Sequence, residues 1–167
     1  LIGSEVDILA DGSLDYEDTV LCELDFVVAS PHTALRQDVG KATDRILRAI
    51  DHKFVNVIGH PTGRLINQRP GLDFEWTRVF EAARASGTAM EINAAYPRLD
   101  LTDLTARAAI RAGVMLTIDT DAHDTASLDG LDLGLSVARR AGATRDNVLN
   151  AQPIETVRAW VKAKRDR

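Results

Sequence analysis

Residues 114–124 read VMLTIDTDAHD. An apolar and β-branched run, Val114 to Ile118, ends in Asp119, Asp121, His123 and Asp124. The run is too short for a helix and shows no polar alternation, which is the pattern of a parallel strand covered on both faces. Its end is costly as written, because like charges repel and each buried ion loses hydration. A carboxylate crowd around an imidazole therefore calls for a cation.

The same pattern repeats along the chain. Strands are predicted at Glu5–Ala10, Phe26–Ser30, Val55–Gly59, Ala89–Asn93 and Val114–Thr120. Amphipathic helices are predicted between and after them, at Tyr16–Glu23, Lys41–His52, Phe74–Ser86, Leu101–Ala112 and Leu131–Ala141, with a last one at Ile154–Lys164. Asp73 and Thr102 stand where N-caps belong, with Asp100 a rival to Thr102. Gly87, Gly113 and Gly142 follow helix ends, where a left-handed residue is needed. Strands alternating with helices make an α/β domain with a parallel sheet, either open and doubly wound or closed as a barrel. Neither a dinucleotide fingerprint nor a P-loop is present. The longest irregular stretch, Pro61–Leu72, directly follows a strand, where a βα barrel keeps its functional loops.

Composition narrows the class. The chain has 167 residues, 45% of them hydrophobic and 27% charged, enough for one domain with a real core. A net charge of −5 argues against a dedicated nucleic-acid binder but not against an enzyme whose metals attract phosphate locally. No apolar run approaches the ~20 residues of a membrane span. The single cysteine, Cys22, excludes an internal disulfide and fits a reducing, cytoplasmic setting; its apolar helical surroundings predict a core position. The start, at Leu1 and already strand-like by Gly3, suggests a piece of something longer.

The chemistry gathers at strand ends. The first strand carries Glu5, the second leads to His32, the third to His60, the fourth carries Glu91 and Asn93, and the fifth leads to Asp121 and His123. In a parallel sheet these ends share one face. Asp121 and His123, two residues apart, are expected to point to one side. Imidazole with carboxylate suits Zn²⁺ or Mn²⁺. The rival, a carboxylate orienting a catalytic histidine, needs a nucleophile, and no nucleophile elbow surrounds Ser30. Asp119 is a candidate acceptor for a ligand histidine's second N–H; Asp7 is either such a group or an ordinary strand-end acid. His52, at a helix end, is expected to be exposed and not a ligand. Arg36, Arg64, Arg69 and Arg98 are either phosphate clamps or solvated loop charges. Asn93 could ligate, donate to phosphate or cap a turn.

These residues sit in strings, SEVDI, DGSLDY, VVASPH, IGHPTGR, EINAAYPRLDL, TDAH and ARRAGATRDNVLN, that resemble the PHP (polymerase and histidinol phosphatase) domain. The similarity is greatest to the PHP domain at the C-terminus of bacterial and archaeal family X DNA polymerases. It implies a distorted (βα)7 TIM-like barrel, here a partial one with about five βα units, in which residues 1–167 form a single PHP domain truncated at its N-terminus. The family's His-x-His signature is absent from the chain, and the partial barrel is expected to leave two strand edges unpaired. The resemblance places Glu5, His32, His60, Asp121 and His123 on metal-ligand positions and Arg64, Asn93 and Arg98 in catalytic motif positions. It implies a di- or trinuclear divalent metal site (Zn or Mn) in the complete domain. It also implies phosphoester hydrolysis at DNA 3′ ends: 3′–5′ exonuclease, with 3′-phosphatase and abasic-site cleavage as related activities, beside upstream polymerase domains. The alternatives are a small-molecule phosphatase of the histidinol-phosphate type and an inactive, structural fragment.

Overall fold

The computed structural model describes residues 1–167. Five parallel strands form one sheet: β1 (Gly3–Asp7), β2 (Phe26–Ser30), β3 (Val57–Ile58), β4 (Ala89–Asn93) and β5 (Leu116–Asp119). Their spatial order is their chain order. A doubly wound sheet would reverse direction at a switch point, so the unreversed order selects the partial TIM-like barrel. The helices α1 (Asp18–Leu21), α2 (Val39–Asp51), α3 (Trp76–Ser86) and α4 (Asp103–Arg111) carry the crossovers. Helices α5 (Leu131–Ala141) and α6 (Ile154–Arg165) follow β5.

The two sheet faces differ. One face, with Val6, Val27, Ala29, Ile58, Met90, Ile92, Leu116 and Ile118, packs on the helices and makes the main core. Helix α2 contributes Ala42, Ile46, Ala49 and Ile50, a stripe at helical spacing. The opposite, barrel-inward face carries a much smaller cluster, Val57, Ala89 and Leu149, with Phe26, Val28 and Trp160 against it. A cavity of about 490 Å³ opens there between Gly3, Phe26, Val28, Thr117 and the start of α6. Helix α6 closes the N-terminal ends of the strands. The Lys164 Nζ, buried, donates to the Ile50 carbonyl at 2.9 Å and to Thr88 Oγ1. Burial pulls that ammonium down to about 8.

Local structure follows the expected chemistry at most boundaries. Thr102 caps α4 by accepting from the Thr105 N–H at 3.1 Å, and Asp38 caps α2 through the Lys41 N–H at 3.0 Å. Gly87, Gly113 and Gly142 all hold positive φ at helix ends. Asp73 is not a cap: its carboxylate accepts from the adjacent Phe74 N–H, and α3 begins only at Trp76. Strand β1 ends at Asp7, because Ile8 turns into a tight bridge with Leu14. The first helix is a single turn. Cys22 is exposed rather than core; its neighbour Leu21 takes the inward position. His52 is partly covered, paired with Asp18 at 3.0 Å and resting on Phe54.

One sheet edge is not left bare. Asn150 sits beside β5, accepts from the Ile118 N–H at 3.1 Å and donates to the Ile118 carbonyl at 2.6 Å. Its amide thus imitates one rung of a neighbouring strand, and Val148 adds a parallel bridge to Leu116. The expectation of two unpaired edges is corrected to this extent.

Candidate metal centre

The C-terminal strand ends do bring histidines together. Glu5 and Asp7 lie on the inward face of β1, two residues apart, and Glu5 is in register with Val28 of β2. His32 follows β2 by two residues and His60 follows β3 by two. Gly59 is required between β3 and His60: a Cβ there would meet Val28 Cγ1 at 2.8 Å and the Ser30 hydroxyl. The outcome is a compact triad. One ligand atom from each of Glu5, His32 and His60 lies within 4.8 Å of the others. Glu5 Oε1 stands 3.1 Å from His60 Nε2 and 3.7 Å from His32 Nε2. The two imidazoles meet edge to face with centroids 4.9 Å apart.

Each member is held from behind. Asp7 Oδ1 contacts His32 Nδ1 at 2.5 Å, which directs Nε2 toward Glu5. Asp7 is thus the orienting carboxylate. Asp119 is not placed to do this for a histidine; it meets the Glu91 carboxyl instead. Arg45 of α2, buried, donates to the Thr33 carbonyl at 2.9 Å and to the Ile8 carbonyl, fixing the loops beyond His32 and Asp7. The His60 backbone holds a positive φ of 22°, a conformation that costs about 1–3 kcal/mol and persists only when its surroundings impose it. The Glu91 carboxylate does so by accepting from the His60 N–H. Asp100 pins the following turn, accepting from the Thr62 N–H and hydroxyl, each at 2.9 Å, and from the Gly63 N–H at 3.1 Å.

The electrostatics fit a cation. The His60 imidazole beside Glu5 holds its carboxyl down to about 2, against partial burial and with help from Ser30 and His32. His60 is 1% exposed, yet neither ring nitrogen completes a hydrogen bond. An unpartnered buried polar atom costs about 1–3 kcal/mol. A divalent cation would take the lone pair of Nε2, the nitrogen 3.1 Å from Glu5 Oε1. Farther along the sheet, burial and the nearby Asp119 carboxyl push Glu91 well up, and burial likewise raises Asp119.

The remaining predicted residues stand outside that triad. Strand β5 stops at Asp119, and Asp121 turns the chain with a φ of 49°, so the strand alternation expected to align Asp121 with His123 ends before it reaches them. Asp121 is largely covered, held by Asn93 Nδ2 at 3.3 Å and Arg98 Nε at 3.4 Å. His123 projects into solvent, 84% exposed, with Nδ1 on the Asp121 carbonyl at 2.7 Å. Arg64 spends its guanidinium on the Arg98 carbonyl at 2.7 Å and the Leu99 carbonyl, tying two loops together. Arg69 likewise donates to the Gly63 carbonyl at 2.8 Å, and Arg36 is exposed. Sequence reasoning missed the roles of Glu91 and Asp100. The available signal was an acid inside an otherwise apolar strand and an acid directly before the buried Leu101.

Comparison with known proteins agrees with this architecture. No family model matches the chain. It is 43% identical over 162 residues to the DNA polymerase/3′-5′ exonuclease PolX of Bacillus subtilis, covering 97% of this chain but only 28% of that protein's length. It is 30% identical over 175 residues to a probable phosphatase of Thermoanaerobacter sp., covering 99% of this chain and 69% of the relative. A probable phosphatase of Caldanaerobacter subterraneus is 28% identical over 177 residues, covering 67% of its length. With the strand-end histidines, the unreversed parallel sheet and relatives matched along almost all of its length, the chain belongs to the PHP family.

Proposed function

We propose that this chain is a metal-dependent phosphoester hydrolase acting on DNA 3′ ends, chiefly as a 3′–5′ exonuclease, with 3′-phosphatase and abasic-site cleavage within the same chemistry. The observation that carries the reading is the triad Glu5, His32 and His60, whose central ring is buried with Nε2 turned to the Glu5 carboxylate. The exonuclease in the printed name of the Bacillus relative and the phosphatases among the others support phosphoester substrates. Polymerase domains upstream in a longer parent chain fit the small share of the Bacillus protein that this chain spans.

Glu5, His32 and His60 would hold a divalent cation, with Asp121 and His123 on the same rim as further ligands in a di- or trinuclear site. Zinc and manganese both suit this donor set. A cation there supplies Lewis acidity toward a phosphoryl oxygen and lowers the pKa of bound water. The protein's own part is positioning. Asp7 keeps the His32 ring turned with Nε2 inward. Glu91 and Asp100 fix the His60 turn. Asn93 and Arg98, both on Asp121, would be the donors to a phosphate's non-bridging oxygens. Arg64 acts behind them by holding the Arg98–Leu99 backbone.

The test is release of nucleotides from a single-stranded oligonucleotide labelled at its 5′ end, with Mn²⁺ or Zn²⁺ supplied. Stepwise shortening from the 3′ end is expected and should vanish with chelator. Hydrolysis of small phosphomonoesters without any shortening would favour the small-molecule phosphatase, a reading supported by the 69% coverage of the Thermoanaerobacter relative.

A further inference from the structure

Both tyrosines of the chain lie on loops of the face that carries the histidines. Tyr16 follows β1 and is 42% exposed; Tyr96 follows β4 and is 68% exposed. Other aromatic rings are spent on packing, such as Phe54, Phe74 and Phe80 in the core and Trp76 stacked on Phe80. Two exposed aromatic rings on one rim are not equivalent, because their surroundings differ in charge and in rigidity.

Tyr16 sits among Asp11, Asp15, Glu17 and Asp18, which would repel a phosphate chain. Tyr96 sits between Asn93 and Arg98, the two residues that hold Asp121. Its Cα is within about 7 Å of that of Arg98, since two peptide units span no more. The loop beneath it is tied down on both sides. The Ala95 N–H donates to Asn93 Oδ1 at 3.0 Å, and the Ala95 carbonyl accepts from the Arg98 N–H at 2.8 Å. The Pro97 carbonyl accepts from the Ile66 N–H at 2.6 Å, and Arg64 holds the Arg98 and Leu99 carbonyls. An aromatic ring is thus presented to solvent on a backbone with little freedom to withdraw it.

We infer that Tyr96 is a stacking platform for a nucleobase next to the reacting phosphate, and that this residue separates polynucleotide from small phosphomonoester substrates at the site. The inference rests on the phosphoester-hydrolase reading above. Stacking on an aromatic face is tolerant of sequence, because every base has a π-face, and it is pre-organised here by the anchored loop. A small phosphomonoester has no base to stack, so the ring discriminates between polynucleotide and small-molecule esters without touching the reacting atoms.

The experiment uses fluorescence anisotropy of a labelled single-stranded oligodeoxynucleotide with phosphorothioate linkages, alongside turnover of p-nitrophenyl phosphate, both with Mn²⁺. Tyr96→Ala should weaken oligonucleotide binding roughly tenfold and leave p-nitrophenyl phosphate turnover unchanged. Tyr96→Trp and Tyr96→Phe should bind within about twofold of the parent, since either ring can stack. Tyr16→Ala should bind as the parent does. Parent-like binding by Tyr96→Ala overturns the inference, as does an equal loss on the small ester, or a parent that does not bind the oligonucleotide. A parent that hydrolyses neither substrate yet shows the full binding pattern would overturn the hydrolase reading and leave the stacking platform standing.

Discussion

The ends of β1, β2 and β3 and the ends of β4 and β5 carry the same residue types and reach different states. On the first side Glu5, His32 and His60 converge, with His60 buried and its Nε2 3.1 Å from Glu5 Oε1. On the second side Asp121 is already occupied by Asn93 and Arg98, and His123 projects into solvent. The difference lies in what holds each residue. Glu5 is inside a paired strand, and His32 and His60 lie two residues past theirs. Asp121 also lies two residues past its strand, but Asn93 and Arg98 hold it, and His123 lies two residues farther out. Glu5, His32 and His60 are assembled without help from a ligand, whereas the turn after β5 leaves Asp121 and His123 outside that cluster.

The largest effect expected from this contrast is on turnover. His60→Ala should lower phosphoester hydrolysis by at least about 10³-fold, the scale of losing cation stabilisation of several kcal/mol. His123→Ala should cost clearly less. Steady-state rates of the two variants side by side would sharpen the comparison; equal losses would break it. Next in size is Asp7→Asn, which removes the carboxylate behind His32. Metal affinity should fall about 10–100-fold with the fold intact, read by competition with a chromogenic chelator. Unchanged affinity would mean that His32 needs no orienting partner.

Two smaller effects concern stability. Asn150→Ala should destabilise the fold by about 1–3 kcal/mol in urea, because the Ile118 N–H and carbonyl lose their side-chain rung, while metal binding at the distant β1–β3 side is unchanged. The metal-free protein should also respond to pH through Glu91 and Asp119. Their folded-state values lie above the ordinary 4.5 and 3.8. The folded state therefore holds protons that the unfolded chain releases. Their contribution is fully present below the unfolded values and is lost as pH rises through the raised ones. Glu91→Gln should flatten the decline of thermal midpoint with rising pH. A decline as steep as the parent's would place its origin elsewhere. Glu5 has the opposite sign and a separate window, its contribution being lost only as pH falls below 4.5 toward about 2.

Most of this was legible in the sequence where period and punctuation carry the information. Strands β2 and β4 and helix α5 occupy the predicted residues, because short apolar runs are bounded there by turn residues and glycines. The convergence of His32 and His60 followed from their places just past parallel strands, while Glu5 joined them through the family resemblance. Four things were hidden. Ile8 to Ala10 reads as strand, but the Ile8–Leu14 bridge ends β1 early. Cys22 reads as core from its apolar neighbours, but a one-turn helix is too short to impose a buried face, and Cys22 stays exposed. The alignment of Asp121 with His123 assumed strand geometry beyond Asp119, and a positive φ cannot be read from an aspartate. The supporting acids Glu91 and Asp100 act through backbone N–H groups, partners that no side-chain motif announces.

The central claim, that the β1–β3 triad is a metal centre by itself, is tested most directly by metal content. Protein loaded with Zn²⁺ or Mn²⁺, dialysed without chelator and analysed by plasma mass spectrometry, should retain at least one cation per chain in the parent and in His52→Ala, and essentially none in His60→Ala. A parent that retains none, or a His60→Ala variant that retains as much as the parent, would contradict it.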